Sequence, residues 1–280
     1  MQMPPPPTPA RAARIGRRRL LQQALALSLL TPAALLAQDL PGLVARAKPS
    51  VLLVGTFGAL DSPRFGFRGT GFVVGDGTLA VTGAHVLPPL QMVETQERRL
   101  AVQVWGADRQ WTPRMATVLM NDPAHDVALL RFEGPPAPAL RLASDAPPPE
   151  GSDIALIGFP IGGLLGYSHV THRGVVAAHT AISLPSLNAQ TLNARNVAQL
   201  RQGAFEILQL DIISYPGNSG GPVLDIATGE VVGVLSMALI KGTRESALSS
   251  PTGISYAIPT RHVRALMSSA RVEDKGGNKP

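Results

Sequence analysis

From Val51 onward the chain alternates short runs of β-branched and apolar residues with Gly, Pro, Asp and Asn, a texture that predicts many short strands and few helices. One set of runs comprises Val51–Thr56, Thr70–Val74, Leu79–Thr82, Ala101–Trp105, Met115–Met120 and Val127–Phe132. A proline-rich connector, Gly134 to Pro149, closes it. The second set runs through Ile154–Gly158, Val170–Ala178, Glu206–Ile213, Val223–Ile226, Val231–Met237 and Ile254–Ile258. Helical spacing is confined to Leu40–Lys48 and Arg261–Met267. Two groups of about six strands on either side of a proline hinge predict an all-β fold of two six-stranded antiparallel β-barrels, because closure removes the edges that so many short strands would otherwise expose. The expected division is a first barrel over residues 38–140, a second over 141–270 ending in a short C-terminal helix, and a disordered tail over 271–280. The polar interval Leu184–Gly203 is long for a hairpin and reads as a functional or mobile loop.

Residues 1–37 have a different texture. Pro4 to Pro7 lead into five arginines, Arg11, Arg14, Arg17, Arg18 and Arg19, and then into the apolar stretch Leu20–Ala37, interrupted by Gln22, Gln23, Ser28 and Pro32. A membrane-spanning helix wants about 20 unbroken apolar residues. The stretch therefore reads as an export signal, with an uncleaved anchor as the weaker alternative. Arg17-Arg18-Arg19-Leu20-Leu21-Gln22 resembles the bacterial twin-arginine pattern, and Leu35-Leu36-Ala37 is an acceptable cleavage site. The expected protein is periplasmic or secreted, with no stable membrane insertion after cleavage.

Composition narrows the chemistry. The formal charge of +6 is concentrated in those five arginines, so the remainder carries about +1 and offers no footprint for nucleic acid. The absence of cysteine excludes disulfides, a thiolate nucleophile, iron–sulfur clusters and cysteine zinc sites. With 280 residues, 45% of them apolar, the chain can bury one or two sizeable cores.

The chemically loaded segment is Gly217-Asn218-Ser219-Gly220-Gly221-Pro222. Glycines around a serine let the backbone turn sharply, expose the hydroxyl and gather amide N–H groups into one small space, as an acyl-transfer oxyanion requires. A serine in a glycine-rich turn is more often only a turn residue, so a base and a carboxylate must also be found. His85 follows the run Ala80-Val81-Thr82-Gly83-Ala84, where a side chain can leave a barrel rim, and Asp126 opens the apolar strand Val127–Phe132. Each alone reads equally well as a structural residue. Together they place a base and an acid in the first barrel and a nucleophile in the second.

These segments resemble the chymotrypsin-fold serine proteases, most closely the bacterial HtrA (Deg) group. The resemblance rests on an ordered set: Gly69-Thr70-Gly71-Phe72-Val73-Val74, Thr82-Gly83-Ala84-His85-Val86, Asp126-Val127-Ala128-Leu129-Leu130, Ile157-Gly158-Phe159-Pro160-Ile161-Gly162, the serine turn, and Gly253-Ile254-Ser255-Tyr256-Ala257-Ile258-Pro259. It covers about Leu40 to Met267 and implies a chymotrypsin-like double barrel. It also implies a trypsin-like serine endopeptidase of unfolded or damaged proteins, with protein or peptide substrates, no cofactor and no metal. HtrA enzymes usually carry PDZ domains after the protease domain, whereas about a dozen residues follow Met267, so peptide sensing of that kind is not expected. A homo-oligomer is in keeping with the family, although its trimer-forming N-terminal elements are not recognisable.

The resemblance assigns His85 as general base and then acid, Asp126 as the group that fixes the imidazole, and Ser219 as the acylated nucleophile. It puts the oxyanion hole on the Gly217-Asn218-Ser219 turn, through the N–H groups of Gly217 and Ser219. Digestive relatives have Asp where Asn218 stands, and an amide cannot form the ion pair that activates their zymogens. Substrate binding falls to Ile213, at the floor of the S1 pocket, and to Ser236, Met237, Ala238 and Ile254. An uncharged floor predicts small or medium aliphatic P1 residues, although Ile213 and Ile254 read equally well as core residues.

Rival readings are weaker. An α/β-hydrolase esterase needs a helix after its serine and the order Ser, acid, His, whereas Pro222-Val223-Leu224 follows here. Gly69-x-Gly71 lacks the third glycine of a dinucleotide site. His169 and His172 are three apart in a strand pattern and lack further ligands for a metal. Trp105 and Trp111 read as core or rim aromatics, and His125 as an exposed residue turned away from Asp126. A catalytically silent protein-binding module of the same fold is the alternative from another functional class.

Overall fold

In the computed structural model, which describes residues 2–3, 39–89, 98–162, 166–181, 205–236 and 253–276, strand β1 (Val51–Gly58) is apolar on both faces because each face belongs to a different core. Leu52 and Val54 pack with Val73, Ala80, Val102 and Leu130 in a core built from the first half of the chain. Val51 and Leu53 pack on the other side into a core shared by both halves, with Phe72, Leu129, Ile157 and Phe159. Ile154, Leu156, Leu208, Leu210 and Val223 form a third core belonging to the second half. Side chains alternate across a strand, so strands lying between two cores read as unbroken apolar runs.

β1 is followed by β2 (Phe65–Val74), β3 (Leu79–Thr82), β4 (Arg98–Trp105), β5 (Trp111–Asp122) and β6 (Val127–Phe132), closed into a barrel in the order β1-β2-β3-β6-β5-β4. The second barrel contains β7 (Asp153–Gly158), β8 (Val170–Ala181), β9 (Glu206–Asp211), β10 (Pro222–Asp225), β11 (Val231–Leu235) and β12 (Ile254–Pro259). Its order, β7-β8-β9-β12-β11-β10, repeats that of the first without any repeat in the sequence. Both barrels are six-stranded and antiparallel, as the strand pattern predicts.

The proline-rich connector is bound to both barrels rather than hinged between them. Ala137 and Leu140 donate N–H bonds to the carbonyls of Gly77 and Val73, and Arg141 and Ala143 pair with Val231 across a short parallel bridge. Helix α1 (Leu40–Ala47), with proline in its first turn, buries Leu43 and Ala47 in the shared core. The C-terminal helix α2 runs from Thr260 to Gly276. The expected disordered tail is thus corrected over residues 271–276. The apolar stripe Val263, Leu266 and Met267 continues to Ala270, and the Arg, Glu and Lys that follow are good helix formers up to a terminal glycine. The N-terminal signal reading and the Leu184–Gly203 loop lie outside the described residues. Among the described residues no helix is long and apolar enough to cross a membrane.

Candidate active site

His85 lies in a single helical turn directly after β3, and Asp126 precedes β6, the strand that pairs with β3. Adjacent strand ends bring the two residues together. The carboxylate is 3% exposed; its Oδ2 lies 2.7 Å and its Oδ1 2.9 Å from His85 Nδ1, and Oδ1 also accepts the His85 backbone N–H at 2.9 Å. A carboxylate can only accept, so Nδ1 donates to it, and in the neutral imidazole this leaves the lone pair on Nε2. The Ser236 hydroxyl donates to Asp126 Oδ2 at 2.6 Å from the second barrel. Asp126 has φ +55°, a left-handed conformation that aspartate tolerates better than most residues.

Ser219 sits in the turn before β10, and glycine is required on both sides of it. Gly217 has φ +103°, and a Cβ there would lie 2.3 Å from the Phe159 carbonyl oxygen. A Cβ on Gly220, at φ +83°, would lie 2.2 Å from the Thr70 carbonyl oxygen, 2.4 Å from Thr82 Oγ1 and 2.9 Å from the Gly83 nitrogen. The serine turn is therefore pressed against the segment leading to His85. Thr70 of β2 ties it down: its N–H donates to the Ser219 carbonyl at 2.8 Å and its hydroxyl to the Gly217 carbonyl at 2.6 Å.

On the other side of Gly217, the Pro216 carbonyl accepts the Ile161 N–H at 2.7 Å. A trans peptide points its N–H opposite its carbonyl, so this bond turns the Gly217 N–H away from Ile161. Asn218 belongs to the oxyanion turn without adding a donor to it. Its N–H donates to the Tyr215 carbonyl at 3.0 Å, which removes it as an oxyanion donor. Its side chain is fully buried, with Nδ2 3.3 Å from His172 Nε2, and Oδ1 has no hydrogen-bond partner among the described residues. Burial lowers the pKa of His172 and favours its neutral form, whose Nδ1–H tautomer lets Nε2 accept that amide hydrogen.

Ile213 and Ile254 are 44% and 46% exposed, so the plain-core reading of these residues does not hold. Ile213 is flanked by Ile212, whose carbonyl accepts the Ser255 hydroxyl at 2.8 Å, and by Ser214, whose hydroxyl lies 2.7 Å from that of Ser255. Besides donating its hydroxyl to Asp126, Ser236 donates its N–H to the Tyr256 carbonyl, while Met237 and Ala238 lie outside the described residues. His169 is held by the Val51 carbonyl at 3.1 Å and packs against Trp105, Trp111 and Phe159. His125 is 24% exposed rather than free in solvent, because Asp122 holds its Nδ1 at 2.6 Å and His262 stacks on it at 4.0 Å. No group of three or more candidate metal ligands occurs among the described residues. The roles of Thr70 and Ser236 beneath the site escaped the sequence reading, since a strand hydroxyl carries no mark of which group it will meet.

Two antiparallel barrels with a His–Asp pair on one and a glycine-bound serine on the other define a protein class. The chain belongs to the trypsin-like peptidase domain family, which it matches over residues 69–234. It is 31% identical over 191 residues to a probable periplasmic serine endoprotease, DegP-like, of Pseudomonas fluorescens, covering 68% of this chain and 32% of that protein. A DegP-like protein of a Marinomonas species is 27% identical over 224 residues, covering 78% of this chain and 39% of the relative. The chain thus spans about a third to two fifths of the length of these relatives. Among solved structures, the HtrA-type protease AlgW, in a complex with a tripeptide, superposes with a TM-score of 0.56 at 22% identity, covering 82% of this chain and 63% of that one. This supports the HtrA resemblance and the chymotrypsin-like fold. The strand β10 after Ser219 leaves no place for the helix of an α/β-hydrolase elbow.

Proposed function

We propose that this chain is an HtrA-like serine endopeptidase that cleaves proteins or peptides through Ser219, His85 and Asp126. In this reading His85 Nε2 takes the Ser219 proton as the hydroxyl oxygen attacks the scissile carbonyl. The N–H groups of Gly217 and Ser219 receive the oxyanion. The imidazolium then protonates the leaving amine, and water, deprotonated by His85, releases the acyl group. Asp126 holds the imidazole tautomer and stabilises its charged form. The observation that carries the reading is the buried carboxylate on His85 Nδ1, since a neutral hydrocarbon contact would have served the fold at less cost.

Exposed Ile213 and Ile254 supply an uncharged lining and favour small or medium aliphatic P1 residues. Export through residues 1–37 is in keeping with the periplasmic naming of the bacterial relatives. The test is fluorophosphonate labelling and casein turnover of the protein against Ser219→Ala. Loss of labelling and a fall in turnover of about a million-fold support the reading. Equal signals from both proteins would sink it in favour of a protein-binding module. Strong cleavage after Arg or Lys in a peptide library would refute the aliphatic pocket.

A further inference from the structure

Thr70 is wholly buried at the seam of the barrels, and each of its polar groups is used. Its N–H donates to the Ser219 carbonyl, and its own carbonyl accepts the Thr82 hydroxyl at 2.8 Å. Its hydroxyl lies between two backbone groups of the other barrel: the Gly217 carbonyl at 2.6 Å and the Phe159 N–H at 3.2 Å. A carbonyl cannot donate and an N–H cannot accept. The single hydroxyl proton is therefore committed to Gly217, and a lone pair to Phe159.

This bond acts on the Gly217–Asn218 peptide, whose N–H is held within its own barrel by the Tyr215 carbonyl and whose carbonyl is held from the other barrel by Thr70. Gly217 has no side chain to restrict it, and it stands in the left-handed region at φ +103°. Ile161 holds the peptide before it from within the second barrel, and Thr70 is the contact that ties the peptide after it to the first barrel. Thr82, three residues before His85, continues the same chain of bonds towards the base.

We propose that the Thr70 hydroxyl is a positioning group for the oxyanion hole, setting the orientation of Gly217 and its placement relative to the barrel that carries His85. The inference rests on the triad reading and adds a specific requirement to it: the hydroxyl itself, and not merely a residue of that shape, supports turnover. Thr70→Val keeps the shape and leaves the Gly217 carbonyl and the Phe159 N–H unpaired. Thr70→Ser keeps the hydroxyl.

The test compares these two variants with the wild type on one peptide substrate, alongside a peptide aldehyde whose tetrahedral adduct uses the hole. Thr70→Val is expected to lose about 10- to 100-fold in kcat with KM within about twofold, and to lose aldehyde affinity in proportion. Thr70→Ser is expected to stay within about threefold of wild type on both readouts. Thr70→Cys, a weak donor of similar size, is the second probe should the valine variant not fold, and it is expected to fall towards the valine level. The pH dependence of kcat/KM on its acidic limb is expected to be unchanged in all three, since the His85–Asp126 pair is untouched. The proposal is overturned if folded Thr70→Val or Thr70→Cys retains wild-type kcat, or if Thr70→Ser falls as far as Thr70→Val, while the wild type still labels at Ser219. A wild type that does not label at Ser219 overturns the triad reading itself, and this proposal with it.

Discussion

Burying a carboxylate to 3% exposure requires donors to replace the lost water, and those of Asp126 include the His85 N–H, His85 Nδ1 and the Ser236 hydroxyl. Two predictions belong to these side chains. Asp126→Asn leaves an amide that can present N–H to Nδ1 and stabilise the wrong tautomer, so kcat is expected to drop by about ten-thousand-fold at neutral pH, measured on a peptide substrate. Ser236→Ala removes one hydrogen bond to a charged acceptor, worth about 1.5–3 kcal/mol, and is expected to lower kcat by about tenfold or more while Ser219 remains labelled. The positions of His85 and Asp126 at one barrel rim and of Ser219 in a turn of the other were legible in the sequence, because each stands at a turn beside an apolar run, while the roles proposed for them came from the family resemblance. The contacts of Asn218 were not legible. Whether its N–H serves the oxyanion depends on the carbonyl it meets, and Tyr215 supplies that carbonyl through a turn the sequence does not specify.

Among the elements, α2 and the turn before β6 meet through two imidazoles. His262 of α2 stacks on His125, Phe205 packs edge-on against both rings, and Asp122 holds His125. Burial lowers the His262 pKa to about 4, with the charges of His125 and Arg261 acting in the same direction and that of Asp122 opposing them. Its Nε2 is buried without a hydrogen-bond partner among the described residues. In the unfolded chain this imidazole titrates near its ordinary value of 6.5. Between those values the unfolded state binds a proton that the native state refuses, so this contribution to stability falls as pH drops from about 6.5 to about 4. His169 and His172, both lowered by burial, act with the same sign. Tm is therefore expected to fall between about pH 7 and pH 4.5, and His262→Phe, which keeps a stacked ring without a titrating group, is expected to flatten part of that fall in a thermal melt. A slope unchanged by the substitution would contradict this account. At this scale the sequence located the elements better than their ends. β3 and β6 match their apolar runs, whereas β2 reaches back through a stretch broken by Gly66, Arg68 and Gly69, and β5 and β8 extend into polar flanks, in each case with the backbone still paired with a neighbour. The exposed reading of His125 failed because its stacking partner lies far along the chain.

For the whole molecule, two groups of six runs flanking a proline connector were enough to read two barrels, since closure is the physical answer to many short edges. The seam between them was not legible. Strands apolar on both faces do not announce which face closes on its own barrel and which on the other, and the connector's bonds to both barrels depend on backbone groups alone. That seam contains a ring cluster: Trp111 lies 5.3 Å from Phe159 and 5.1 Å from His169, with Trp105 4.8 Å from Trp111. Phe159→Ala is expected to cost about 3–5 kcal/mol in a denaturant titration, by emptying a site that both barrels share. The chain has two tryptophans, Trp105 and Trp111, and both lie in this cluster, against residues contributed by the opposite barrel. Intrinsic indole fluorescence therefore reports on one place only, the contact between the halves. A red shift in emission would register the barrels parting even while each kept its own strands.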